Sequence, residues 1–313
     1  MVKIKARKDK IFKRQLSLKA QNERDAYLMI FPQIIGFLLF SIYPMIWAIR
    51  LSWYFYNGIS ASTRFVGWEN FITLFRDNEY WQSLGNTFLY ALMKMPVELP
   101  IALFLAVLLN QKLRGSGFFR AMYYMPHIIS TAIIALVFSN IFSYFGVVNA
   151  VLDKAGTING SIDWFGTKFK AMWVVVIADT WKSFGVNVLY FLSALQNIPN
   201  EMYEACKVDG AGRFTIFFKI TLPMIAPVLQ VILMLSLIGT LQINELILVL
   251  TNGAPGGSTY SVMAYIFKNY APGMADVGVN IGYGCAMSLM TAVILAIITL
   301  SYQKYSQKLN DIY

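Results

Sequence analysis

Five ionisable residues stand inside long apolar runs of this sequence: Lys94 and Glu98, Asp179 and Lys182, and Glu245. A charge in hydrocarbon is costly, so each should face a partner, a bundle interior or a wet cavity. Lys94 and Glu98 are four apart and meet on one helical face. Pro96 and Pro100 beside them free backbone carbonyls and suit a kinked helix, so this pair reads as structural support. Asp179 and Lys182, three apart, can also pair, but Trp181, Ser183 and Phe184 adjoin them. Carboxylates and hydroxyls suit the hydroxyls of a polyol, while aromatic faces cover its C–H surface; an interhelical polar clamp explains the same residues equally well. Ser236, Thr240 and Asn244 recur every fourth residue in a run rich in Leu, Ile and Met, a stripe that drifts about 40° per step. Singly, such residues in membranes serve helix packing. Three in register, with Asn244 and Glu245 at one end, favour the lining of a pathway.

Catalytic constellations do not occur. There is no G-x-x-x-x-G-K-[ST] phosphate loop, no H-E-x-x-H and no Ser/His/Asp set, and the one histidine, His127, follows Pro126 as an interfacial polar residue. Cys206 and Cys285 fall on a polar loop and inside an apolar run, which excludes a disulfide framework, and no His neighbours them for a metal. The chain is therefore expected to be no enzyme and to bind no cofactor or metal itself.

The elements that position these residues must cross a membrane. Of 313 residues 57% are hydrophobic and 13% charged, about half the charged share of a soluble domain. Six apolar runs appear, at about Tyr27–Ile49, Leu84–Leu109, Phe118–Phe142, Ala171–Leu195, Ile225–Leu250 and Ile281–Tyr302. Each spans roughly 33 to 39 Å as helix, enough for a core of about 30 Å with tilt. The expectation is an all-α integral membrane protein with six transmembrane helices: a basic arm over 1–26, a transmembrane domain over 27–303 and a tail over 304–313.

Six spans put both termini on one side. With the N-terminus inside, seventeen Lys and Arg lie in the cytoplasm against seven outside, nine of them within the first 24 residues. The net charge of +10 thus reads as an orientation signal and a contact for anionic lipid, not as a nucleic-acid surface. The opening segment lacks the pattern of a cleaved signal peptide. Small residues at Gly278, Gly282 and Ala286 indicate close packing of the last span, against a neighbouring helix or a second, similar subunit.

Between the fourth and fifth runs lies the most polar internal segment, Leu195 to Pro223. Pro199 suits a first helical position with Asn197 as its cap, and Glu201 and Glu204 favour the first turns. Gly210 and Gly212 stop that helix. A second short helix over Arg213–Ile220 should run into Leu222-Pro223, and Ala205 and Cys206 leave room for another protein to approach. The spacing of Glu204-Ala205-Cys206, Gly210, Ile220 and Leu222-Pro223 resembles the EAA loop of permease subunits of ATP-driven (ABC) importers, with a small Cys206 in place of the second alanine.

Val66 to Phe71, Asn86-Thr87, Phe119 to Pro126 and Leu250 to Thr259 further resemble the sugar-importing branch of such permeases, the maltose, multiple-sugar and glycerol-phosphate group. This resemblance covers the chain from about Tyr27 onward. It implies the type I importer permease fold and alternating access in a bacterial cytoplasmic membrane. The implied partners are a second homologous permease, an extracytoplasmic sugar-binding protein and two ATPase subunits that hold ATP and Mg. The loop over 196–223 would couple to the ATPase through Glu204, Ala205, Cys206, Gly210, Ile220, Leu222 and Pro223. The fourth and fifth spans would line the sugar path with Asp179, Ser183, Ser236, Thr240 and Asn244, and Trp181, Lys182 and Glu245 stand behind them. A glycerol-phosphate cargo would need a cationic cluster where only Lys182 is available, so a neutral sugar or oligosaccharide is favoured. A proton-coupled carrier using Asp179 or Glu98 would show inverted repeats and broken helices, which the sequence does not display.

Overall fold

A computed structural model describes residues 24–111, 115–158, 160–275 and 278–310. The basic arm expected over 1–26 lies, but for its last three residues, outside them. The chain opens with α1 (Arg24–Leu51), a short hairpin of β1 (Tyr54–Phe55) and β2 (Arg64–Phe65) paired antiparallel, and α2 (Glu69–Arg76). Next come α3 (Asn78–Leu109), α4 (Ser116–Ile128), α5 (Thr131–Ile141), α6 (Val147–Lys154) and α7 (Lys168–Gln196). The second half holds α8 (Asn200–Val208), α9 (Arg213–Leu241), α10 (Glu245–Leu250), α11 (Val262–Tyr270) and α12 (Ile281–Asn310).

The all-α, six-span expectation holds, with two corrections. Helices α1, α3, α7, α9 and α12 are each long and apolar enough to cross a membrane, but the third span is broken: α4 and α5 meet at 93°. Ile129 and Ser130 are both extended there; Ser130 and Thr131 are small interruptions between apolar runs, too short for hydropathy to register the bend. The fifth span stops at Leu241, and Gln242–Asn244 separate it from α10. A break at membrane depth needs partners for its freed backbone groups, and the buried Ser261, N-cap of α11, donates to the Ile243 carbonyl at 2.6 Å. At the far end α12 continues to Asn310, so the segment expected as a tail begins as helix.

Helix α3, about 48 Å long at 1.5 Å per residue, threads three buried clusters. Tyr90 and Met93 pack with Met172 and Val175 of α7, Ala135 of α5 and Ile247 of α10. Leu99, Ala102 and Ala106 pack with Val188 and Phe191 of α7 and Ile225 and Ile232 of α9. Tyr80 and Leu84 pack with Leu74, Val262 and Met287 toward the end that carries the long loops. Helix α4 comes so close to α7 that a Cβ at Gly185 would stand 1.8 Å from the Tyr123 carbonyl oxygen.

The small-residue repeat of the last span is corrected as well. Gly278 precedes α12, and a Cβ at Gly282 would meet the Tyr54 carbonyl oxygen at 1.9 Å. With Ala286 fully buried, this face of α12 packs within the chain, Gly282 lying against the β1–β2 hairpin.

Candidate functional site

Two helical faces, Tyr90-Lys94-Glu98 on α3 and Asp179-Asn187 on α7, meet inside the bundle. Lys94 Nζ lies 2.5 Å from Asp179 Oδ2 and 3.3 Å from Glu98 Oε2. The Tyr90 hydroxyl donates to the same Asp179 oxygen, and Asn187 Nδ2 donates to Glu98 Oε1 at 2.9 Å. Lys94 and Glu98 are almost wholly buried. Desolvation of such charges is repaid only by good geometry and added hydrogen bonds, which Tyr90 and Asn187 provide.

The expected pairing of Lys94 with Glu98 is present, but Asp179 does not pair with Lys182. Lys182 reaches the Thr131 hydroxyl at the start of α5 instead. A neighbour three residues away on the same helix loses to a lysine on the facing one, because α3 packs along α7. Ser183 is turned back on its own helix, donating to the Asp179 carbonyl at 2.6 Å. Trp181 packs against Phe138 and lines a recess of about 350 Å³ whose other walls are mainly aliphatic and aromatic. Tyr90, Asn187 and Thr131 escaped the sequence reading. A step of four from Lys94 to Tyr90 was the available signal for the first; Asn187 and Thr131 depend on which helices become neighbours.

On α9, Thr240 is buried and donates to the Ser236 carbonyl at 2.6 Å. Asn244 sits in the break with an orphaned buried Oδ1, and Glu245 is exposed at the first position of α10. The expected stripe is thus corrected: Ser236 and Thr240 share a helix, while Asn244 and Glu245 lie past its end and out of register. Beyond them the turn over 251–260 is tied to α3. Asn86 Nδ2 donates to the Ser258 and Tyr260 carbonyls at 2.8 and 2.9 Å, and Thr87 Oγ1 accepts from the Val262 amide at 2.9 Å. At the same end Tyr265 donates to Glu79 Oε2 at 3.3 Å. Burial, with Tyr270, Asp77 and Glu79 adding, pushes the Tyr265 hydroxyl far above the usual tyrosine range, so it stays a donor.

At the opposite end α8 presents Glu204 and Ala205 to solvent with Cys206 half-buried. Pro199 is the extended residue before the helix, and Asn197 closes α7, so Asn197 is not the expected cap. Gly210 adopts φ +75°, a left-handed turn that glycine alone enters without strain. The amide of Ala211 then donates to the Cys206 carbonyl at 2.9 Å. The expected second short helix is not separate. From Arg213 it runs through a widened turn, Phe217–Thr221, and on to Leu241, so Ile220, Leu222 and Pro223 belong to the fifth span. The widened turn lets the helix carry Pro223 without breaking.

Residues 98–311 match the family described as the binding-protein-dependent transport system inner membrane component. The chain belongs to this family. It is a multi-pass inner membrane transport component, and the permease has relatives along nearly its whole length. The trehalose/maltose transport permease of Thermococcus litoralis is 33% identical, over 94% of this chain and 97% of that one. The lactose transport permease of Rhizobium radiobacter is 36% identical over 80% and 85%. Among solved structures, a chain of a bacterial alginate ABC transporter, in complex with an alginate pentasaccharide-bound periplasmic protein, superimposes with a TM-score of 0.78 at 26% identity, over 93% of this permease and 96% of that chain.

Proposed function

We propose that this permease forms half of the translocation pathway of an ATP-driven importer for di-, oligo- or polysaccharide fragments. Its partners would be a second homologous permease, two ATPase subunits that bind ATP and Mg, and an extracytoplasmic sugar-binding protein. Both termini and α8 would lie in the cytoplasm. The observation that carries the reading is the direct continuation of the α8–Gly210 turn into α9: a push on Glu204, Ala205 and Cys206 reaches Ile220, Leu222 and Pro223 and moves the whole fifth span.

Ser183, Ser236, Thr240 and Asn244 remain the residues for the sugar path, with Trp181, Lys182 and Glu245 behind them. Asp179, held by Lys94 and Tyr90, would act as a positioning residue for α3 and α7. Lys94 is already shared by two carboxylates, which leaves little cationic surface for a glycerol-phosphate ester and favours sugar. The test is uptake of a labelled saccharide panel into proteoliposomes holding the permease pair, the ATPases and the binding protein. Accumulation should require ATP; accumulation driven by a proton gradient without ATP would overturn the reading.

A further inference from the structure

Beneath the α8 loop, where α3 and α7 end and α9 begins, lies a cavity of about 450 Å³ that the coupling role does not use. Its floor is apolar: Val107 of α3, Leu195 of α7, and Ile216 and Phe217 of α9. Its rim carries Lys207 and Arg213, with Tyr203 and the side-chain amides of Asn110, Gln111 and Asn200. No salt bridge engages either cation among the described residues. Glu201, Glu204 and Asp209, the carboxylates of this loop, do not line the cavity. Arg213 opens α9, whose first amides add positive potential to the rim.

On the outer wall the exposed apolar residues Phe104 and Leu108 lead to Gln111 at helical spacing, and Phe214 and Phe218 are exposed on α9. A cationic, amide-rich rim over an apolar floor, beside exposed apolar surface on two membrane-crossing helices, matches one amphiphile: an acidic headgroup with its acyl chains lying along α3. Basic pockets between transmembrane helices on the cytoplasmic side bind such headgroups. We propose that this cavity is a headgroup site for one anionic phospholipid of the inner leaflet, with phosphatidylglycerol as the simplest ligand. Lys207 and Arg213 take the phosphate, the amides take the glycerol hydroxyls, and the occupied lipid braces the root of α8 against α9, where Tyr203 already meets the Thr221 hydroxyl at 3.3 Å.

The proposal rests on α8 being cytoplasmic, and its test is read without transport. The full chain would be reconstituted in nanodiscs of phosphatidylcholine with a minor share of phosphatidylglycerol, and retained lipid counted by native mass spectrometry. One phosphatidylglycerol should persist per copy. Lys207→Gln and Arg213→Gln should each weaken retention about fivefold and together about thirtyfold, whereas Lys207→Arg should keep it. Equal retention by the double variant overturns the site. Displacement by millimolar inorganic phosphate while acyl-chain contact persists would assign the rim to a soluble anion and overturn the lipid reading. Loss of the lipid on adding the ATPase subunits would give the cavity to an acidic protein segment, again against the proposal. Labelling of Cys206 from the external face would sink the orientation alone and so distinguishes the two failures.

Discussion

Lys94 lies between two carboxylates, and removing it strands both in a buried site. Breaking a buried pair this way costs about 3–5 kcal/mol, while apolar replacement of both partners is often tolerated. Lys94→Ala should therefore sharply lower the melting temperature of the purified permease, and Lys94→Met combined with Asp179→Leu should recover part of the loss. A single variant as stable as the wild type would remove the network from the list of things holding α3 to α7. Gly185 offers a sharper contrast. Its Cβ would overlap the Tyr123 carbonyl, while one at Gly239 would meet nothing within 4 Å. Gly185→Val should abolish stable assembly of the broken third span. Gly239→Ala should be neutral or stabilising by up to about 1 kcal/mol, since alanine is the better helix former.

Among the elements, α8 leads through the Gly210 turn directly into α9, and the proposed function makes the three one lever. Gly210→Val forces a β-branched residue into a left-handed turn, and Glu204→Lys reverses an exposed charge. Both should leave the permease in the membrane while the partner ATPases turn over ATP without moving sugar; wild-type uptake with either would deny the lever its role. At the other end, the Asn86-Thr87 latch holds the turn over 251–260 and the start of α11 to α3 through three hydrogen bonds. Asn86→Ala removes two of them and leaves two half-buried carbonyls short of a donor, a loss of about 1 kcal/mol. Amide exchange over residues 258–262 should rise while exchange in α7 stays the same. Unchanged protection of the turn would show that Thr251 and Thr259, themselves 3.1 Å apart, suffice to hold it.

Across the whole molecule the long loops gather at one end and α8 stands at the other, so sidedness is a single binary question. Cys206 should react with a membrane-impermeant thiol reagent in inside-out vesicles and not in intact cells. A cysteine at Phe145, 91% exposed in the outer loop, should do the reverse. The opposite pattern would invert the molecule and detach α8 from any cytoplasmic ATPase.

Local chemistry made part of this architecture legible. Span number follows from hydropathy, because lipid imposes a cost on each segment independently of its neighbours, while the placement of Lys and Arg supplies the orientation that the labelling test checks. The α8 turn was equally readable, since the left-handed geometry at Gly210 is a property of that residue and its immediate chain. The pairing of Lys94 with Glu98 was readable from its spacing of four, but the partner of Asp179 was not. Asp179 had Lys182 three residues away, yet it pairs with Lys94, 85 positions distant in sequence. The bend at Ile129–Ser130 and the break at Gln242–Asn244 are likewise invisible along the chain. Their backbone groups are satisfied, where they are, by side chains such as Ser261 that arrive from elsewhere. The sequence by itself determined which segments must be buried in lipid. Helix packing alone decided which polar groups are consumed in holding the bundle together and which remain free for a ligand, because a hydrogen-bond partner is chosen by distance in space.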